Sequence, residues 1–568
     1  MFFSCKFGSS RRILIENKIQ TNRILFLKNI DFWSINSVLI AALVIAPILS
    51  VFIIALTPTE NIWPHLLSTT LPRYTSNTLL LMFFVGIFSG VIGTFTAWLT
   101  ARYRFFGSNW LQWALFLPLA LPAYVASYAL VDLLEYAGPI QSLLRSIFNW
   151  QTSQDYWFPE VRSLSSAIFV LSLALYPYVY LMARSAFLEQ SDSTEEVAKS
   201  LGISIFGRFF RLGLPLARPA IFAGIALVMM ETASDFGAVD FFAVQTLTTG
   251  IFSVWLESNN AGGAAQIAST VLILIVILVS LEKFNQRKLR FYNLSYRNKN
   301  IEKTDLNRTN SLIAFSICFL PIFFGFIVPF LVLLNLGYGN LDLWINAGLI
   351  SAIKNTLIVS GLAALVTVML ALLMVYGIRL SGKKLPLLIL PVTTIGYAAP
   401  GAVLGIGILV PLAFFDNWLA DRIFDLTRYD PGLIFTGTAF AIILAYCVRF
   451  FSIAQQTLDG ALGRVSPSLP NAARSLGRNK LQVLWEIYRP LISTSMATAL
   501  LLVFVDCVKE LPATMLLRPF NFETLATRVH VQASLEDLPN AAPGAILIVL
   551  IGLCAVFFLA RVNRQISN

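Results

Sequence analysis

Glu196-Val197-Ala198-Lys199-Ser200-Leu201-Gly202 and Asn471-Ala472-Ala473-Arg474-Ser475-Leu476-Gly477 decide how this chain folds, because the second stretch echoes the first. Gly202 and Gly477 are 275 residues apart, and so are Pro215 and Pro490, which follow them. Other landmarks recur at nearly the same distance: Asn77-Thr78-Leu79 and Asn355-Thr356-Leu357 at 278, Leu117-Pro118 and Leu390-Pro391 at 273, Thr246-Leu247 and Thr524-Leu525 at 278. Self-similarity at one spacing along a whole chain marks a tandem duplication. In the first copy, a helix through Glu196 to Leu201 is expected to stop at Gly202, which reaches φ > 0 where other residues resist it. A second short helix, Phe206 to Arg211, is expected to end near Pro215.

The sequence around these stretches is strongly apolar. Of 568 residues, 57% are hydrophobic and 12% charged, against the ~45–50% apolar content of soluble domains. The apolar residues gather into twelve blocks: 36–56, 77–101, 110–134, 163–187, 218–235, 264–282, 312–336, 352–377, 385–411, 432–454, 490–511 and 543–561. Each is near the ~20 residues that a helix needs to cross ~30 Å of hydrocarbon. The fold class is therefore an all-α polytopic membrane protein of two tandem six-helix units, related by an axis along the membrane normal. The implied boundaries are an N-terminal segment 1–35, a first unit 36–283 with its loop at 189–217, a linker 284–310, a second unit 311–562 with its loop at 459–490, and a tail 563–568.

An even number of spans puts both termini on one side. With that side cytoplasmic, 32 of the 41 Lys and Arg fall in cytoplasmic segments, as the retention of basic residues requires. The net charge of +11 then reflects topology and calls for no nucleic-acid partner. Arg11, Arg12, Lys18, Arg23 and Lys28 precede an apolar stretch without a small-x-small cleavage site, which reads as an uncleaved first span. Cys5, Cys318, Cys447, Cys507 and Cys554 are scattered, which argues against a disulfide framework or a zinc site. The linker, rich in Lys, Arg and Asn, reads as a solvated tether.

The run Glu196-x-Ala198-x3-Gly202-x9-Leu212-x-Leu214-Pro215 lies between the fourth and fifth spans, on the face assigned to the cytoplasm. It resembles the coupling loop of ATP-binding-cassette (ABC) importer permeases, Glu-Ala-Ala, three residues, Gly, nine residues, Ile-x-Leu-Pro. The resemblance implies that Glu196, Ala198, Gly202, Leu214 and Pro215, with Asn471, Ala472, Ala473, Gly477, Ile487 and Pro490 in the second copy, dock two copies of a cytoplasmic ABC ATPase. The small Ala198 is expected to let that partner approach closely. The second copy departs from the pattern at Asn471, where the first has Glu196, and at Arg489 before Pro490, which makes the two docking sites unequal. No segment fits G-x-x-x-x-G-K-[ST], so ATP and Mg are left to the partner, and this chain is expected to carry no cofactor and no catalytic residue.

Two further stretches are similar to the fused permeases of ferric-iron ABC importers: Glu231-Thr-Ala-Ser-Asp235-Phe-Gly-Ala-Val239 with Thr246–Thr249, and Val505-Asp-Cys-Val-Lys-Glu-Leu-Pro-Ala-Thr514 with Leu517–Arg528. The similarity implies import of ferric iron through the bacterial inner membrane by alternating access, the iron being delivered by a periplasmic binding protein. Permeases for thiamine, sulfate, polyamines or phosphonates share the architecture and remain alternatives, as does an ion-driven secondary transporter. The same stretches hold unusual intramembrane charges. Glu231 and Asp235 are spaced i, i+4, as are Asp506 and Glu510, with Lys509 adjacent. Intramembrane carboxylates are costly and mark candidate pathways, and hard oxygen ligands suit a hard cation. Because a pathway must release its cargo, no tightly bound metal is expected. The competing reading is that Lys509, with Arg518, neutralises these acids at a helix interface. The outer segments Tyr136 to Arg162, Ala413 to Pro431 and Pro512 to Pro543 are long enough to receive a carrier, and Asp416, Asp421, Asp425, Asp430, Glu536 and Asp537 would make that face acidic.

Overall fold

The computed structural model describes residues 32–58, 61–190, 197–198, 200–287, 303–381, 390, 393–394, 396, 399–466 and 468–567. Helices dominate because backbone N–H and C=O groups in hydrocarbon must be satisfied within their own segment. The first half contains α1 (Phe32–Leu56), α2 (Leu71–Arg102), α3 (Ser108–Ala114), α4 (Ala123–Leu134), α5 (Pro139–Phe148), α6 (Leu164–Leu188), α7 (Phe206–Ser234), α8 (Gly237–Phe241), α9 (Leu247–Phe252) and α10 (Ala261–Arg287). The second contains α11 (Arg308–Gly339), α12 (Ala347–Ser381), α13 (Gly401–Thr427), α14 (Ala439–Gly463), α15 (Lys480–Val508), α16 (Pro512–Leu517), α17 (Leu525–Ser534) and α18 (Leu538–Ser567).

Among the described residues 11 helices are long and apolar enough to span a membrane, or 12 if one bent pair counts as a span. These match the twelve blocks in order, with two corrections. The third block is not one helix: Ser108–Ala120 and Ala123–Phe148 meet at 90°. Pro118 and Pro122 cause the break, since each lacks an N–H and Pro122 drives Leu121 to ψ 113. The ninth block, 385–411, lies mostly outside the described residues up to position 398, and α13, which starts at Gly401 behind the extended Pro400, runs past its end to Thr427. Most of Ala413 to Pro431 is therefore helix rather than a receiving loop.

The halves are built alike and exchange their first helices. One core packs α2, α6 and α7 together; the other packs α12, α14 and α15. In the first, Gly86-x3-Gly90 and Gly93 let helices close in, and a Cβ at Gly93 would stand 2.8 Å from the Tyr180 backbone nitrogen. Helix α1 lies against α10 of its own half and against α12, α13 and α14 of the other. Helix α11 mirrors it, packing on α18 of its own half and on α2, α3, α4 and α6. Trp33 meets Tyr376 edge-on at 5.4 Å in the first exchange, and Phe315 meets Trp110 at 6.4 Å in the second.

The duplicated landmarks prove to be two sides of one contact. Leu247 N–H donates to Thr78 Oγ1 at 3.0 Å, and Leu525 N–H to Thr356 Oγ1 at 2.8 Å. Beside them Asn77 Nδ2 donates to the Gln245 carbonyl at 2.8 Å and Asn355 Nδ2 to the Glu523 carbonyl at 3.0 Å. Thr246 and Thr524 each open a helix with a reciprocal capping box.

The end of the linker is not a solvated tether. β2 (Thr304–Asp305) pairs in parallel with β1 (Tyr103–Arg104), and Lys303 Nζ donates to the Thr100 carbonyl at 2.8 Å. Desolvation, with Arg184 and Arg104 nearby, brings the Lys303 ammonium down to about 8. Ser311 Oγ accepts from Phe106 N–H at 2.8 Å, so α11 is fixed to the first half at its very start.

Candidate functional site

Each repeated loop is a helix stop followed by a widened turn. Gly202 has φ +71 and Gly477 φ +84, and a Cβ at either would meet nothing within 4 Å. The glycine is needed for its backbone conformation, not for space. Around it Ile203 N–H donates to the Ala198 carbonyl at 3.0 Å, and Arg478 N–H to the Ala473 carbonyl at 3.1 Å, the six-to-one bond of a Schellman stop. Ser204 and Asn479 then cap the next turn, accepting from Gly207 N–H at 3.2 Å and Gln482 N–H at 2.8 Å.

The second helix does not end near Pro215, contrary to expectation. Phe209–Gly213 and Leu484–Tyr488 are π turns, at the same 275-residue offset, and run straight into the spans of α7 and α15. A proline has no N–H and would clash with the carbonyl four residues back. The wider turn relieves both constraints, with Leu214 N–H reaching Phe209 and Arg489 N–H reaching Leu484. Leu214 and Pro215, with Ile487 and Pro490, thus lie where loop becomes span.

Ala198 and Ala473 are both buried against the chain itself. Outward instead point Val197, Leu201, Phe206 and Phe210, matched at the same offset by Ala472, Leu476, Leu481 and Trp485. Leu201 is 72% and Leu476 84% exposed, so each loop presents a comparable apolar face. Asn471 is exposed on the second loop, while Glu196 falls outside the described residues.

The five intramembrane charges converge. Glu231, Asp235, Asp506, Lys509 and Glu510 all line one cavity of about 150 Å³ between the halves, closed in by Pro118 to Tyr124, Leu171 to Tyr178 and Arg449. The acids of each i, i+4 pair do not share one helix face, because α7 ends at Ser234 and α15 at Val508. Asp235 and Glu510 sit just beyond the helices and cap the following ones. Asp235 Oδ2 accepts from Ala238 and Val239 N–H at 3.1 and 3.2 Å. Glu510 accepts from Ala513 and Thr514 N–H, both at 3.1 Å, and from the Thr514 hydroxyl at 2.9 Å.

Neutralisation differs from the expected Lys509 and Arg518 pairing. Lys509 Nζ contacts Asp506 at 2.7 Å, but Glu510 pairs with Arg449 Nη1 at 2.6 Å. Arg449 is one of the 32 basic residues that the topology assigns to the cytoplasmic side, yet α14 continues to Gly463 and leaves it mid-span. A basic residue inside an apolar block was the signal that could have revealed it.

Of the six outer acids, Asp416, Glu536 and Asp537 are engaged by neighbouring side chains or backbone. Asp416 is fully buried, and its carboxylate holds Phe435 N–H at 3.0 Å and both Thr436 donors at 2.6 Å. Glu536 contacts Arg162 at 3.0 Å, and that arginine also holds Glu135 at 2.8 Å. Asp421, Asp425 and Asp430 remain exposed. Part of Pro512 to Pro543 is packed inward through Leu516, Leu517, Leu525, Val529 and His530, while Phe520 and Leu535 stay exposed.

A membrane protein of two like halves, with an interfacial cavity and a repeated loop, has the form of a transport permease. The chain belongs to the binding-protein-dependent transport system inner membrane component family, whose model matches it twice, over residues 89–291 and 365–568. It is a multi-pass inner-membrane protein. It is similar to the Fe(3+)-transport system permease protein FbpB 2 of Haemophilus influenzae, 30% identical over 500 residues that make up 86% of this chain and 89% of that one. The ferric transport system permease protein FbpB of Actinobacillus pleuropneumoniae is 24% identical, over 86% of this chain and 70% of its own. The sulfate transport system permease protein CysT of Escherichia coli is 30% identical over 207 residues, 36% of this chain and 72% of its own.

Proposed function

We propose that this chain is the permease subunit through which an ABC importer moves ferric iron from an extracytoplasmic carrier to the cytoplasm. The carrying observation is the interfacial cavity, where Glu231, Asp235, Asp506 and Glu510 outnumber Arg449 and Lys509 two to one. Carboxylate oxygens suit a hard cation. The relatives matched along most of the chain are named for ferric transport. Sulfate, suggested by the CysT match, fits the cavity less well, because an oxyanion favours an excess of cationic groups.

The mechanism follows from where each part sits. Helix α7 is 29 residues long, with its loop at one end and Glu231 and Asp235 at the other; at 1.5 Å per residue that is roughly 43 Å of continuous helix. Helix α15 has the same length and places Asp506, Lys509 and Glu510 likewise. Two copies of a cytoplasmic ATPase grip the apolar loop faces, and their closure on ATP swings α7 and α15 as levers. The cavity walls then part on one side and close on the other, which is alternating access. Both termini are cytoplasmic, the iron-binding carrier docks outside, and cargo is steered by the acids without lodging.

ATP and Mg belong to the partner, and this chain hydrolyses nothing. Its nearest approach to a phosphate loop, Gly377 to Lys384, has lysine where Ser or Thr is needed, and Gly377 lies inside α12. The test is ATPase activity and uptake by the complex in proteoliposomes. Stimulation by an iron-loaded carrier is expected, and stimulation only by a sulfate or thiamine carrier would overturn the iron reading.

A further inference from the structure

We infer that Arg449 is a specificity-determining residue: a built-in counter-ion that keeps a multivalent cation moving through the cavity and prevents it from lodging there. The inference rests on the ferric-iron reading above. Arg449 stands mid-span in α14, where an arginine is costly, and its side chain is 13% exposed against 2% for Glu510.

Packing alone does not call for it. In the first half Ala174 occupies the matching position, 275 residues earlier, and also lines the cavity. There Asp235 caps α8 through two backbone N–H groups, the same task that Glu510 performs for α16. A second change accompanies the arginine. Gly401 replaces the Ala123 of the first half, 278 residues earlier, and a Cβ at Gly401 would overlap both the Arg449 guanidinium and the Glu510 carboxylate. The second half therefore has both the cation and the space that admits it.

The charge has a consequence for cargo. Conduction needs binding strong enough for entry and weak enough for release. Four carboxylates lining one cavity attract a trivalent ion strongly, and Arg449 cancels one while Lys509 cancels another. Among the described residues no three acidic, histidine or cysteine side chains stand together closely enough to hold a metal ion. On this inference Arg449 weakens the hold of the cavity and keeps it a corridor.

The test uses the complete complex in nanodiscs and gallium(III) citrate, a redox-inert trivalent probe. Arg449→Gln is expected to bind gallium at least tenfold more tightly than wild type and to lose at least fivefold in carrier-delivered iron uptake, while carrier-stimulated ATPase activity persists. Arg449→Lys should restore both values, and the neutral Arg449→Gln/Glu510→Gln double variant should bind gallium within twofold of wild type. Unchanged gallium affinity in assembled Arg449→Gln would overturn the inference. Where Arg449→Gln fails to assemble, Glu510→Gln carries the test. It removes the carboxylate charge opposite the guanidinium, so it should bind gallium tenfold more weakly than the double variant, and equal affinity would sink the idea. A wild type that moves no ferric iron defeats the iron reading and this inference with it. Iron uptake with gallium affinity indifferent to residue 449 defeats only the inference.

Discussion

The two walls of the cavity differ where the rest of the molecule repeats. Ala123, Ala174 and Asp235 in the first half stand against Gly401, Arg449 and Glu510 in the second. Both acids cap the next helix, so the capping itself needs the acid and not the arginine. By contrast, the Thr78 to Leu247 and Thr356 to Leu525 bonds are nearly identical. Contacts that build each half are thus kept in both copies, while contacts facing the cavity have diverged.

The largest effect expected from breaking this contrast is that of Arg449→Ala. It leaves Glu510 buried without its partner and should cost about 3–5 kcal/mol of stability, read as a fall in the denaturation midpoint of the purified protein. Next is Gly401→Val, which pushes a side chain into the ion pair and should cost about 1–3 kcal/mol; Ala123→Val, with no arginine opposite, should cost clearly less. Thr78→Val and Thr356→Val probe the part that has not diverged. Each leaves a buried N–H without an acceptor, for about 1–2 kcal/mol, and a large difference between the two would contradict the equivalence of the halves. The smallest effect on stability, within about 0.5 kcal/mol, belongs to Glu196→Ala and Asn471→Ala. Uptake should nevertheless fall more for Glu196→Ala, and equal losses would mean that the loops are functionally alike.

The spans were legible because about 20 apolar residues in a row have few other destinations. The loops were legible because their glycines and prolines repeat in register. Legibility failed where one residue type has two physical uses. Pro215 reads as a stop, yet a π turn absorbs it and the helix goes on. Arg449 reads as a cytoplasmic anchor until its carboxylate partner, 61 residues away in sequence, is known. Asp416 reads as a surface charge, but three hydrogen-bond donors from Phe435 and Thr436 bury it. The arginine and the aspartate depend on partners distant in sequence, which no local pattern records.

The exchanged first helices bear on why the halves are joined. As separate chains, each would have to find a twin and insert an arm into it, at a rate set by concentration in the membrane. A covalent link makes that search intramolecular, at a fixed effective concentration. Fusion also frees the copies from identity: two products of one gene must carry every substitution twice, whereas one chain can place an arginine on a single wall. The reciprocal arms of α1 and α11 keep the assembly symmetric in shape, and the shared backbone lets its chemistry become one-sided.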